Sequence, residues 1–123
     1  MKDFYMQHVT FYHNPRCSKS RETLELVEKL GITPEIIHYL DTPPTAEQLA
    51  ILLKQLGFKD ARQLMRTKED RYKELNLDDA ALSQEALLQA MAENPKLIER
   101  PIVVVGGKAR LGRPPEQVKE ILL

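Results

Sequence analysis

Cysteine occurs once in the 123 residues, tryptophan not at all, and aromatic residues make up only 6% of the chain. A single thiol, Cys17, cannot close an internal disulfide, so a disulfide-stapled secreted scaffold is excluded. Charge of one sign is missing as well: 18 Lys and Arg balance 18 Asp and Glu, and the formal net charge is zero. A general nucleic-acid-binding surface carries a basic excess, and none is present here. No stretch approaches the roughly 18 consecutive apolar residues that cross a bilayer. The opening Met1–Gln7 has no apolar run that could act as a signal peptide, which leaves a reducing cytoplasm as the expected compartment. Met6 is an alternative start, because the periodic pattern begins only after it. What remains is 42% hydrophobic and 29% charged, the balance of a small soluble globule of one domain.

The β-forming run His8–Tyr12 is ended by Asn14-Pro15, and a helical pattern starts at Ser18. Leu24, Val27 and Leu30 recur at three-residue steps as its apolar stripe, and Gly31 stops it. Glu35–Leu40 reads as a second strand, giving a βαβ unit with parallel strands. Thr45 with Gln48 is a capping-box signature before Leu49, Leu52, Leu53 and Leu56, and Gly57 closes that helix. Residues 60–94 read as mostly helical, with a turn near Asn76–Asp79 and a new start near Ser83. Ile102–Val105 and Lys108–Leu111 flank Gly106-Gly107, a hairpin signal. A short helix over Glu116–Leu122 follows the Gly112-Arg113-Pro114-Pro115 turn. The order βαβ, helices, ββα is that of an α/β, thioredoxin-like fold. It predicts a four-stranded mixed sheet with a helical insertion over about residues 43–95 of a single domain spanning 1–123.

Cys17 stands where the first strand gives way to the first helix, a place whose free N–H groups and dipole favour an anion. Between His13 and Arg21 the chain carries Arg16, Lys19 and Arg21 and no acidic residue. Both effects lower a thiol pKa from about 8.5, into roughly the 5 to 7 range, so that thiolate is abundant at neutral pH. A buried, inert cysteine is the plainer reading, but Ser18, Lys19, Ser20 and Arg21 are poor company for a core residue. The dithiol redox motif needs a second cysteine at position 20, which is Ser20. Any covalent intermediate must therefore be resolved by an outside thiol. The tyrosine-phosphatase loop needs arginine at position 23, which is Thr23, and His8, His13, His38 and Cys17 show no metal-ligand spacing. Arg66, Arg100 and Arg113 are candidates to bring guanidinium forks to an oxyanion at the thiol.

Four blocks, His13-Asn14-Pro15-Arg16-Cys17-Ser18-Lys19-Ser20-Arg21, Leu64–Lys68, Glu99–Val104 and Leu111–Pro114, resemble the glutaredoxin-linked arsenate reductase family in composition and order. The resemblance runs from about His8 to Leu122. It implies that Cys17 is the nucleophile that attacks arsenate, and that Arg66, Arg100 and Arg113 bind the oxyanion. It further implies that His13, Asn14, Ser20 and Arg21 shape the cysteine's pKa and loop, and that Pro101 follows a cis peptide bond. Glutathione as co-substrate and glutaredoxin as partner would supply the electrons, with no metal, no tightly bound cofactor, no nucleic acid and no membrane involved, and a monomer as the default. Arg16, Ser18 and Lys19 make this loop more basic than in the best-known members, so another thiol-dependent oxidoreductase on the same scaffold is one alternative. A second is a regulatory module like the Spx-type proteins, which share the fold and bind RNA polymerase. Those with a redox switch use a Cys-x-x-Cys pair, which Ser20 breaks here.

Overall fold

The computed structural model describes residues 8–123, so the leader and the alternative start at Met6 lie outside it. The described residues divide into two compact units, 8–39 with Arg100–Leu123, and Leu40–Glu99. The expected insertion of about residues 43–95 lies inside the second. Among the described residues no helix is long and apolar enough to cross a membrane.

In the first unit, strands β1 (Val9–Tyr12), β2 (Glu35–Ile37), β3 (Ile102–Val105) and β4 (Lys108–Leu111) form one sheet in the order β2-β1-β3-β4. β1 and β2 are parallel, while β1–β3 and β3–β4 are antiparallel, which makes the expected mixed sheet. Gly106 and Gly107 have φ of 57° and 79° and make the tight turn between β3 and β4, a conformation that favours glycine. β2 is shorter than the sequence suggests and stops at Ile37, because β1 offers it no partner beyond Tyr12. The last ladder bond runs from the His13 N–H to the Ile37 carbonyl at 2.9 Å.

Helix α1 (Ser18–Lys29) carries the cysteine loop at its start. Of the expected Leu24–Val27–Leu30 stripe, Val27 is buried and Leu24 packs against the core, while Leu30 is exposed. Ser20, Thr23 and Val27 are fully buried, whereas Leu30 is 36% exposed. The three- and four-residue steps from 20 to 27 define the innermost face, and its polar members hydrogen-bond instead of facing water. Val27 joins Val9, Phe11, Val103, Val105 and Val118 in the core. The chain ends in a 3-10 turn (Pro115–Val118) and the short helix α5 (Lys119–Leu122), where the sequence suggested one helix.

The second unit packs α2 (Ala46–Leu56) with α4 (Gln84–Glu93) around Leu49, Leu52, Leu53, Leu87, Leu88 and Met91. The Thr45–Gln48 capping box closes in both directions, at 3.1 and 2.9 Å. Residues 60–83 are less helical than expected: a 3-10 turn at Ala61–Leu64 and the five-residue α3 (Asp70–Glu74) stand between irregular segments. Side chains hold these segments in place of a helical ladder. Arg62 donates to the Leu77 and Asp79 carbonyls, both at 2.7 Å, and Gln84 Oε1 accepts the Ala61 N–H at 2.7 Å. Met65 is extended and bridges to Ile98, so Arg66 follows an extended residue and lies outside any helix.

Candidate active site: a thiol between two chain-distant segments

Residues 13–21 form a loop held by its own hydrogen bonds. Asn14 folds it twice, accepting the Arg16 N–H on its side chain and the Cys17 N–H on its carbonyl, each at 3.0 Å. The Arg21 guanidinium donates to the Pro15 carbonyl at 2.9 Å, which ties the start of α1 to the tip of the loop. Below it, the buried Ser20 hydroxyl lies 2.7 Å from His13 Nδ1 and accepts the Asn14 N–H at 3.0 Å. The one hydroxyl thus joins the His13 ring to the backbone of the loop. Burial holds the His13 pKa below its ordinary value, and the charges of His38 and Arg21 push it the same way.

Cys17 is the N-cap of α1 and is partly exposed. Burial alone would raise its pKa. The Ser20 amide, the Arg100 guanidinium, the Lys19 amide and the Arg113 guanidinium together outweigh burial and bring the pKa below that of an ordinary thiol. Neither amide closes a full hydrogen bond on sulfur, so both act as oriented N–H dipoles of an uncapped helix start. The lowered pKa expected from the sequence is therefore present. Its causes include two arginines far away in the chain as well as the local amides.

Those arginines enter from the other end of the unit. The Arg100–Pro101 peptide bond is cis, as the resemblance implied, and so is Arg113–Pro114, which the sequence reading did not anticipate. Arg113 Nε donates to the Arg100 carbonyl at 2.8 Å, and its Nη2 lies 3.5 Å from Cys17 Sγ. Arg113 thus makes the direct contact with sulfur, while Arg100 exerts the greater charge effect. The structure brings together Cys17, Arg100, Arg113, His13, Asn14, Ser20, Arg21 and Pro101 in one unit. Arg66 belongs to the second unit, where its guanidinium meets Glu69 at 3.1 Å and its N–H donates to the Leu97 carbonyl at 2.7 Å. Thr23 and Gly112, which border this site, were missed as site residues. Neither carries a reactive group, and the contact between them joins positions 89 residues apart.

A thiol of lowered pKa at a helix N-terminus, beside two guanidiniums, forms the candidate site on a thioredoxin-like scaffold. The chain belongs to the ArsC family, whose profile matches residues 12–121. It is 66% identical over 114 residues to the protein YfgD of Escherichia coli K12, covering 93% of this chain and 96% of that one. It is 55% identical to an arsenate reductase of Haemophilus influenzae, covering 93% and 98% of the two chains. A solved structure of an arsenate reductase from Vibrio cholerae superposes with a TM-score of 0.93 at 62% identity, covering 94% of this chain and 98% of that one.

Proposed function

We propose that this protein reduces arsenate to arsenite, with Cys17 as the nucleophile and glutathione and glutaredoxin as the electron source. The contact of Arg113 Nη2 with Cys17 Sγ at 3.5 Å carries this reading, because it sets an oxyanion-binding fork beside the attacking atom. The Cys17 thiolate attacks arsenic(V): an S–As bond forms, an As–O bond breaks, and the oxygen leaves as water once protonated. Arg100 and Arg113 balance the charge of the arsenate oxygens during that step. A glutathione thiolate then attacks the Cys17 sulfur. The new S–S bond forms as the S–As bond breaks, and the electron pair stays on arsenic, which leaves as arsenite. A glutaredoxin thiolate takes over the glutathionyl group and returns Cys17 as thiolate. With one cysteine in the chain, both electrons must come from outside thiols.

Arsenate-dependent NADPH consumption, coupled through glutathione, glutaredoxin and glutathione reductase, tests the proposal. Wild type is expected to turn over and Cys17→Ser to be silent. Full activity in Cys17→Ser would overturn the assignment of the nucleophile. No turnover by the wild type with active coupling enzymes would overturn arsenate as the substrate.

A further inference from the structure

The backbone just before Arg113 lies close against α1. A Cβ placed on Gly112 would fall 2.7 Å from Pro101 Cγ and 2.8 Å from Thr23 Cγ2, closer than real Cβ atoms come to their neighbours. Thr23 is fully buried on α1. Its hydroxyl donates to the Lys19 carbonyl at 2.7 Å and lies 3.4 Å from the Gly112 carbonyl. One hydroxyl proton cannot serve two acceptors equally, so the shorter bond dominates and the longer approach is mainly packing. The Gly112 N–H is itself fixed, donating to the Pro101 carbonyl at 3.0 Å. Arg113 follows directly, held through Nε to the Arg100 carbonyl at 2.8 Å.

We propose that Thr23 and Gly112 are a positioning pair: the missing side chain at 112 lets Thr23 of α1 seat against the strand exit that carries Arg113, and so sets the guanidinium-to-sulfur distance. The kinetic part of this inference rests on the arsenate reading given above, whereas the part concerning the thiol does not. Neither residue touches a reacting atom. Their effect passes through the placement of Arg113 against the sulfur, and an added methyl at 112 must displace α1, Pro101 or the Arg113 loop.

The test combines titration of the Cys17 thiol, followed by its iodoacetamide alkylation rate against pH, with steady-state arsenate kinetics. Gly112→Ala is expected to move the alkylation profile to higher pH and to raise KM for arsenate about tenfold or more, the scale on which small misplacements act. Thr23→Ala added to Gly112→Ala removes the two Thr23 atoms, Oγ1 and Cγ2, that crowd the new methyl and leaves Pro101 Cγ, so it should shift the profile part of the way back toward wild type. Two independent packing losses would not compensate in this way. Should Gly112→Ala fail to fold, Thr23→Ala alone decides, since it removes the side-chain atoms that seat against Gly112. A shift in the same direction supports the proposal, and an unchanged profile overturns it. A folded Gly112→Ala with wild-type alkylation and KM, or a double variant no better than Gly112→Ala, also overturns it. If the wild type alkylates as described yet ignores arsenate, the substrate assignment falls while the positioning pair is still judged by the titration.

Discussion

The two sides of the thiol site are built by opposite means. On one side, residues 13–21 hold themselves: the hydrogen bonds of Asn14, Ser20 and Arg21 all span seven positions or fewer. On the other side, Arg113 is 96 positions from the sulfur it touches, and it follows a glycine without room for a side chain. The local side orients amide dipoles and keeps a neutral imidazole beneath them. The distant side supplies the two charges that lower the thiol's pKa. The comparison teaches that the thiol's acidity is shared between a part that forms with the helix and a part that exists only after the sheet is complete.

Breaking the distant side should have the largest effect. Arg113→Ala removes the donor that contacts sulfur, and kcat/KM for arsenate should fall by about 10²- to 10³-fold, as for loss of one preorganised oxyanion donor. Arg113→Lys should not restore it, because an ammonium cannot hold the Arg100 carbonyl and the sulfur at once as the guanidinium does. Wild-type activity in the lysine variant would show that charge alone matters and that the fork is dispensable.

Breaking the local side should cost stability first. Ser20→Ala leaves the buried His13 Nδ1 and the Asn14 N–H without their shared partner, a loss of about 1–3 kcal/mol by urea unfolding. A stability change within a few tenths of a kcal/mol of zero would mean that the hydroxyl is not the hub of the loop.

Acid should act more gently, through His13. Its folded pKa is depressed, so the unfolded chain binds the proton more readily, and stability rises with pH wherever that difference operates. The contribution is complete above the unfolded value of about 6.5 and fades as pH falls toward the folded value. Thermal unfolding followed from pH 7.5 down to pH 5 should show this decline, and His13→Asn should flatten it. An equal decline in that variant would assign the acid sensitivity elsewhere.

Much of the local side was legible in the sequence. The strand end at Asn14-Pro15, the start of α1 and the Thr45 capping box are short-range patterns, and the structure shows each of them. The charges that lower the Cys17 pKa, by contrast, come from Arg100 and Arg113 and not from the expected run of Arg16, Lys19 and Arg21. The four-stranded mixed sheet also followed, because βαβ and a Gly-Gly hairpin leave few ways to pair. Misjudged features depended on partners distant in the chain. Leu30 fits a helical stripe by spacing, yet the inner face of α1 is Ser20, Thr23 and Val27. Arg66 was expected in a helix, but Met65 pairs with Ile98 and Arg62 anchors to residues 77 and 79, so the ladder is interrupted. Glycine at 112 looks like any turn residue until Thr23 and Pro101 are seen within 3 Å of its missing Cβ.

The partly exposed sulfur has a second part to play beyond attack. Its pKa is lowered in the folded protein by Arg100 and Arg113 among others, so by linkage the thiolate steadies the fold it belongs to. That support is present at high pH, above the value of an unfolded thiol, and is withdrawn as pH falls through the folded value. Capping the sulfur with a neutral group withdraws it at any pH. Cys17 is thus a counter-ion as well as a nucleophile, and a chain whose thiol has been spent should melt earlier than one whose thiol is ready.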